Sequence, residues 1–191
     1  VKEALRTFIG EHSYVKLIAE GHSLPEFSPE AIEAYWLGSA LLEEISVEKI
    51  RALFENEFRV IPKSIRERKL AALPEQVFSH HSFHVLFVEF LTPAVQKVLE
   101  NFDKCLVGWG KVLGEKGECL KVKGVQLLAE NNRLCLGERA KLVGNPFELQ
   151  AKKGSLVTVH WENAIEVIEP STLKNLKKFT LANIELANSV R

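Results

Sequence analysis

The sequence predicts an α+β protein, with a mainly helical region over residues 1–101 followed by a small β-barrel and a C-terminal helix over 102–191. Three observations predict it. Apolar residues in the first half recur every three or four positions, short β-branched runs separated by glycines fill the next 65 or so residues, and Pro170-Ser171 opens a final amphipathic stretch. Charge divides at the same place: 11 basic and 15 acidic residues precede Asn101, whereas 14 basic and 10 acidic follow it. The two regions are therefore expected to attract each other.

Residues 2–20 place Leu5, Phe8, Ile9, Val15, Ile18 and Ala19 on one helical face, with a possible break at Gly10. Ser28-Pro29 is an N-cap and first-turn pair for a helix through Ala31, Tyr35 and Leu41. Ser46 caps a helix carrying Ile50, Leu53 and Phe54, and another short helix follows Pro62 and ends before Pro74. Phe83 to Leu91, rich in Phe and Val, predicts a strand near 83–91, and Thr92-Pro93 starts a helix leading into Phe102. Strands are then expected at 105–113, 119–125, 126–129 with 133–136, 140–143, 156–161 and 164–168, with turns at Gly114, Gly117, Asn131-Asn132, Gly137, Gly144 and Gly154. The last helix carries Leu173, Leu176, Phe179, Leu181, Ile184 and Leu186.

With 25 Lys+Arg against 25 Asp+Glu the net charge is zero, which gives nucleic acid no long-range reason to approach. No apolar run reaches the length of a membrane span, and the opening residues lack a secretory core, so a cytoplasmic location is expected. The sequence contains no Met, and Val1 is either a decoded alternative start or the edge of a fragment. Three cysteines without a CxxC pair oppose a disulfide framework and a four-cysteine zinc site.

Chemistry has few places to sit. P-loop, GxGxxG and GxSxG patterns are missing, and Asp103 is the single aspartate. Cys105, expected to start the barrel after Lys104, is either a thiolate able to bind a soft metal or a buried core cysteine. Cys119 and Cys135 alternate with leucines and are assigned no role. His160, opposite Val157 and Val159 on its strand, is either a metal ligand or a hydrogen-bonded residue. His80, His81 and His84 could chelate a divalent ion or serve structurally at the junction of the two regions.

Cys105-Leu106-Val107-Gly108-Trp109-Gly110-Lys111-Val112 resembles the opening of the HypC/HupF family of small hydrogenase-maturation chaperones, which begin Cys-Leu, three variable residues, then Gly-Lys-Val. Gly154 to Glu166, GSLVTVHWENAIE, resembles that family's Gly-Asp-x-Val-x-Val-His-x-Gly-x-Ala-Ile-Glu segment without a gap, with Ser155 in place of Asp and Glu162 in place of Gly. The resemblance implies a small HypC-like (OB-like) β-barrel in a non-enzymatic accessory protein of nickel-iron hydrogenase maturation. By position, Cys105 would hold an iron centre bearing cyanide and carbon monoxide, with His160 assisting. The partner would be the hydrogenase large subunit or a maturation scaffold protein, met through Trp109, Gly110 and Trp161. Tyr14 to Ala19, Glu33-Ala34-Tyr35-Trp36-Leu37-Gly38 and His80-His81-Ser82-Phe83-His84-Val85 resemble an uncharacterised prokaryotic family, a domain of unknown function. Two alternatives stand beside this reading: a metalloenzyme using His80, His81 and His84 with a glutamate base, and a plain interaction module without metal.

Overall fold

A computed structural model describes residues 9–59, 61–89 and 99–190. Helix α1 (Ile9–Gly21) passes through Gly10 without a break and buries Val15, Ile18 and Ala19 of the predicted face, and with them Tyr14, which that spacing does not include. Leu5 and Phe8 lie outside the described residues. The Ser28 hydroxyl accepts from the Ala31 N–H at 3.2 Å and starts α2 (Pro29–Trp36), as its sequence position requires. Gly38, just past this helix, sits at φ +86°, and a Cβ there would fall 2.2 Å from the Phe179 ring. The position thus needs glycine for both conformation and space. A 3-10 turn (Ala40–Glu44) leads to α3 (Val47–Glu57), where Ser46 holds the N-cap position without making a side-chain cap bond. Helix α4 (Lys63–Ala71) runs between Pro62 and Pro74 as expected.

The strand expected near 83–91 is helical over its described residues, 83–89. A short turn, α5 (His81–Phe83), continues into a π-helical turn (His84–Glu89). Phe83, Val85, Leu86, Phe87 and Val88 are all buried, so no polar face marks a helical or strand period. The carbonyls of Phe87 and Val88 accept from the Nζ of Lys69, itself buried, which satisfies the end of this turn. The start expected at Thr92-Pro93 lies outside the described residues, but α6 (Leu99–Cys105) does contain Phe102.

Five strands form a closed barrel in the order β1-β2-β3-β5-β4: β1 (Gly108–Lys116), β2 (Cys119–Glu130), β3 (Arg133–Gly144), β4 (Leu156–His160) and β5 (Asn163–Ile168). All pairs are antiparallel except the single parallel β3–β5 contact at Gly144↔Asn163. The separate short strands expected over 119–143 are two long ones, joined only at Asn131-Asn132, whose φ values of 49° and 61° suit a tight hairpin. Gly137 is not a turn. It faces Gln126 in register, and the Leu128 side chain lies where its Cβ would be. Gly114 likewise stays within β1, at a bulge.

The barrel core is aliphatic: Val112, Leu120, Val122, Val143, Val157, Val159 and Ala164. Beyond it the β2–β3 arm packs Leu127 and Leu134 on α6 and on the terminal helix α7 (Pro170–Ser189). Helix α7 also sends Phe179 and Leu186 into the aromatic core of the helical region, and Leu176 against Trp109 and Leu37. No helix among the described residues is long and apolar enough to cross a membrane.

Candidate metal centre

Three local structures bring three donor side chains together. Cys105 does not open a strand. It closes α6, where the Leu106 N–H bonds the Phe102 carbonyl at 2.8 Å, and β1 begins three residues later. His160 is the last residue of β4, immediately before a hairpin turn made by Trp161 and Glu162 at φ 48° and 63°. That turn is tied to α6: the Trp161 N–H donates to the Lys104 carbonyl at 2.8 Å, and the Lys104 ammonium lies 3.5 Å from Glu162 and 3.0 Å from Glu100. The cation expected to act on the neighbouring thiol is thus engaged by two carboxylates. His81, on the helical turn α5, arrives from the other region.

The sulfur of Cys105 and ring nitrogens of His81 and His160 all lie within 4.8 Å of one another, the one such donor group among the described residues. His81 Nε2 is 4.0 Å from the Cys105 Sγ and 2.8 Å from the Cys105 carbonyl oxygen, while its Nδ1 is 3.1 Å from the Tyr35 hydroxyl. The two imidazoles stand nearly perpendicular, with centroids 5.7 Å apart. Trp36 packs on both, at 4.3 Å from His81 and 5.4 Å from His160, and its own N–H donates to Glu11 at 3.2 Å. His160 Nε2 is buried and makes no hydrogen bond of good geometry among the described residues.

Burial depresses the pKa of His81 well below its ordinary value, against the opposing pull of the Cys105 carbonyl. Burial lowers His160 too, and the same carbonyl again partly offsets it. Both rings are therefore neutral near pH 7, the form that donates a lone pair to a metal. A groove of about 730 Å³ between α2 and β5 reaches His160, with Trp36, Leu37, Val107 and Thr158 along it. Glu166 on its wall is held above the usual carboxylate range by burial and by the nearby charge of Glu33.

The other sequence-predicted residues separate. His80 is the N-cap of α5: its Nδ1 accepts from the Ser82 N–H, its ring stacks 6.1 Å from Phe179, and burial lowers its pKa to about 3. His84 packs between Tyr14 and Phe58, each ring centroid 5.7 Å away. The three histidines of residues 80–84 thus face three different environments, and only His81 joins a donor group. Trp109, expected at a partner surface, is buried against Leu37, Val107 and Leu176, and Gly110 lies under the close crossing of β1 and β2, where a Cβ would stand 3.0 Å from the Gly124 Cα. Trp161 is 49% exposed and remains available. None of the three cysteines forms a disulfide.

The sequence spacing groups His81 with His80 and His84 and marks Tyr35 and Trp36 with no role at a site, although all three stand in segments that carry the family resemblance. A closed five-stranded barrel joined to a helical region defines the class: an α+β protein, here with a Cys/His/His donor group that could hold a metal ion. The family model described as "Family of unknown function (DUF6390)" matches residues 1–191, and the chain belongs to that family. No curated protein and no solved structure matches it.

Proposed function

We propose that the chain is a non-enzymatic accessory protein of nickel-iron hydrogenase maturation, whose Cys105 thiolate receives an iron centre with cyanide and carbon monoxide ligands as cargo while His160 ligates or hydrogen-bonds it. The observation that carries this reading is the approach of the Cys105 sulfur and a His160 ring nitrogen to within 4.8 Å at the edge of a closed barrel. These are the two residues to which the resemblance to the HypC/HupF chaperones assigns the cargo. A thiolate is a strong soft donor suited to low-spin iron, and a neutral imidazole complements it. The groove at His160 supplies an approach for the cargo, and the half-exposed Trp161 beside it supplies an aromatic anchor for a hydrogenase large subunit or maturation scaffold.

Infrared spectroscopy tests this on protein purified without oxygen from cells expressing the hydrogenase maturation proteins. Cyanide and carbon monoxide stretching bands that disappear in Cys105→Ala are expected. Their absence from a folded wild-type sample would overturn the proposal.

A further inference from the structure

We infer that His81 joins Cys105 and His160 in a three-donor site for a borderline divalent transition-metal ion, zinc or ferrous iron by class, built across the junction of the helical region and the barrel. The inference goes beyond the cargo proposal. It shares two residues with it, but adds a donor from outside the barrel and needs no cyanide or carbon monoxide.

The donor set is one thiolate and two neutral imidazoles, the combination that suits such ions. Tetrahedral coordination at ordinary metal–sulfur and metal–nitrogen distances puts neighbouring donors about 3.5 Å apart. The donor atoms here lie within 4.8 Å of each other, and His81 Nε2 and the Cys105 sulfur at 4.0 Å, so closure on an ion requires displacements of about 1 Å or less. His160 brings a ring nitrogen to the group, and its Nε2 is buried without a well-formed hydrogen bond.

His81 needs a proton rearrangement, and its neighbours provide for one. With Nε2 directed at the Cys105 carbonyl, that nitrogen carries the ring proton and Nδ1 accepts from the Tyr35 hydroxyl. To ligate through Nε2, the ring moves its proton to Nδ1 and donates it to the Tyr35 oxygen, which can act in either sense. Tyr35 is thereby a positioning residue that fixes the ligating tautomer by accepting from the far ring nitrogen, as a partner behind a metal-bound histidine commonly does. Trp36, in contact with both rings, excludes water from one side. Three protein donors leave a fourth position, and the groove lined by Trp36 and His160 comes up to one of the three donor residues. A divalent ion with one thiolate carries a net charge of +1 there, and Glu33 and Glu166 stand on the walls of the groove that reaches His160.

Cobalt(II) is the probe. Anaerobic titration of the reduced full chain is expected to saturate at one equivalent, with a thiolate-to-cobalt charge-transfer band that Cys105→Ala abolishes even though Cys119 and Cys135 remain. His81→Ala and His160→Ala are each expected to weaken binding by more than about tenfold, and His84→Gln to leave it unchanged. Because His81 lies in an aromatic stack, X-ray absorption of the cobalt-loaded wild type gives a reading independent of variant folding: one sulfur and two imidazoles support the site. One imidazole, no stoichiometric binding, or a folded His81→Ala that binds as tightly as wild type would overturn it. Cobalt bound by all three residues in a protein that never acquires cyanide and carbon monoxide bands would sink the cargo reading alone.

Discussion

The helical region and the barrel are held together by different materials. In the first, rings pack on rings: Tyr14 contacts Tyr35, Phe58 and Phe83, and Phe54 contacts Phe58, Phe83 and Phe87. In the barrel, β-branched aliphatic side chains fill a closed sheet and the backbone ladder supplies the rest. An aromatic core can hold large polar rings at its margins, because imidazole stacks like its neighbours, and His80, His81 and His84 are absorbed that way. The barrel keeps its one histidine at a strand end. The junction is where the two styles meet, and α7 serves both, with Phe179 in one core, Ile184 and Ala187 in the β2–β3 arm, and Leu176 against Trp109.

The sharpest way to break this comparison is Phe179→Ala. It removes a fully buried ring that touches Phe78 and His80 and fills the space over Gly38, at an expected cost of about 3–5 kcal/mol. If α7 unites the two cores, denaturant unfolding followed by helix and by strand circular dichroism shifts equally. A strand signal that keeps its wild-type midpoint would show the barrel to be independent.

The next effect is acid sensitivity. His80 in the folded protein has its pKa lowered by burial to about 3, against 6.5 for the ordinary group, so below about pH 6.5 the unfolded chain takes up a proton that the folded one refuses. Its contribution to stability is complete above that pH and is lost progressively as the pH falls towards 3; from pH 7 to pH 5 the loss is about 2 kcal/mol for this one group. His80→Asn retains an N-cap acceptor and removes the titration. Urea midpoints at pH 7 and pH 5 should therefore differ less in the variant than in wild type, while His81 and His160, lowered in the same direction, keep some acid sensitivity in both. Equal differences would mean that His80 is not the group responsible.

The smallest effect belongs to charge. Lys178 on α7 reaches Glu43 at 2.7 Å, one direct expression of the opposite net charges of the two regions, but both side chains are about half exposed. Lys178→Ala should cost under about 1 kcal/mol, and less in high salt. A larger, salt-resistant loss in thermal unfolding would make electrostatics, rather than packing, the bond between the regions.

How far the sequence could be read follows the same division. Helix starts at Ser28 and Pro62, the tight turn at Asn131-Asn132 and the terminal helix after Pro170 are local, and local chemistry dictated them. The helical turn at 84–89 was not legible, because its run of consecutive buried residues, Val85 to Val88, has no periodicity. Gly137 looked like a turn because the cover supplied by Leu128 is a cross-strand fact. At the site, Cys105 and His160 each carried a recognisable local pattern. That His81 and not His80 or His84 faces them depends on the phase of one short helical turn, which no spacing rule reveals.

Trp36 touches both imidazoles of the donor group, whereas Trp109 packs beside the barrel and Trp161 stands half in solvent. One indole of three is thus an optical reporter built into the site. Its excited state would be quenched by an ion held as proposed at the two rings, and its N–H bond to Glu11 ties its emission to the first described helix, so one fluorescence signal would answer both to the proposed ion and to the seating of that helix.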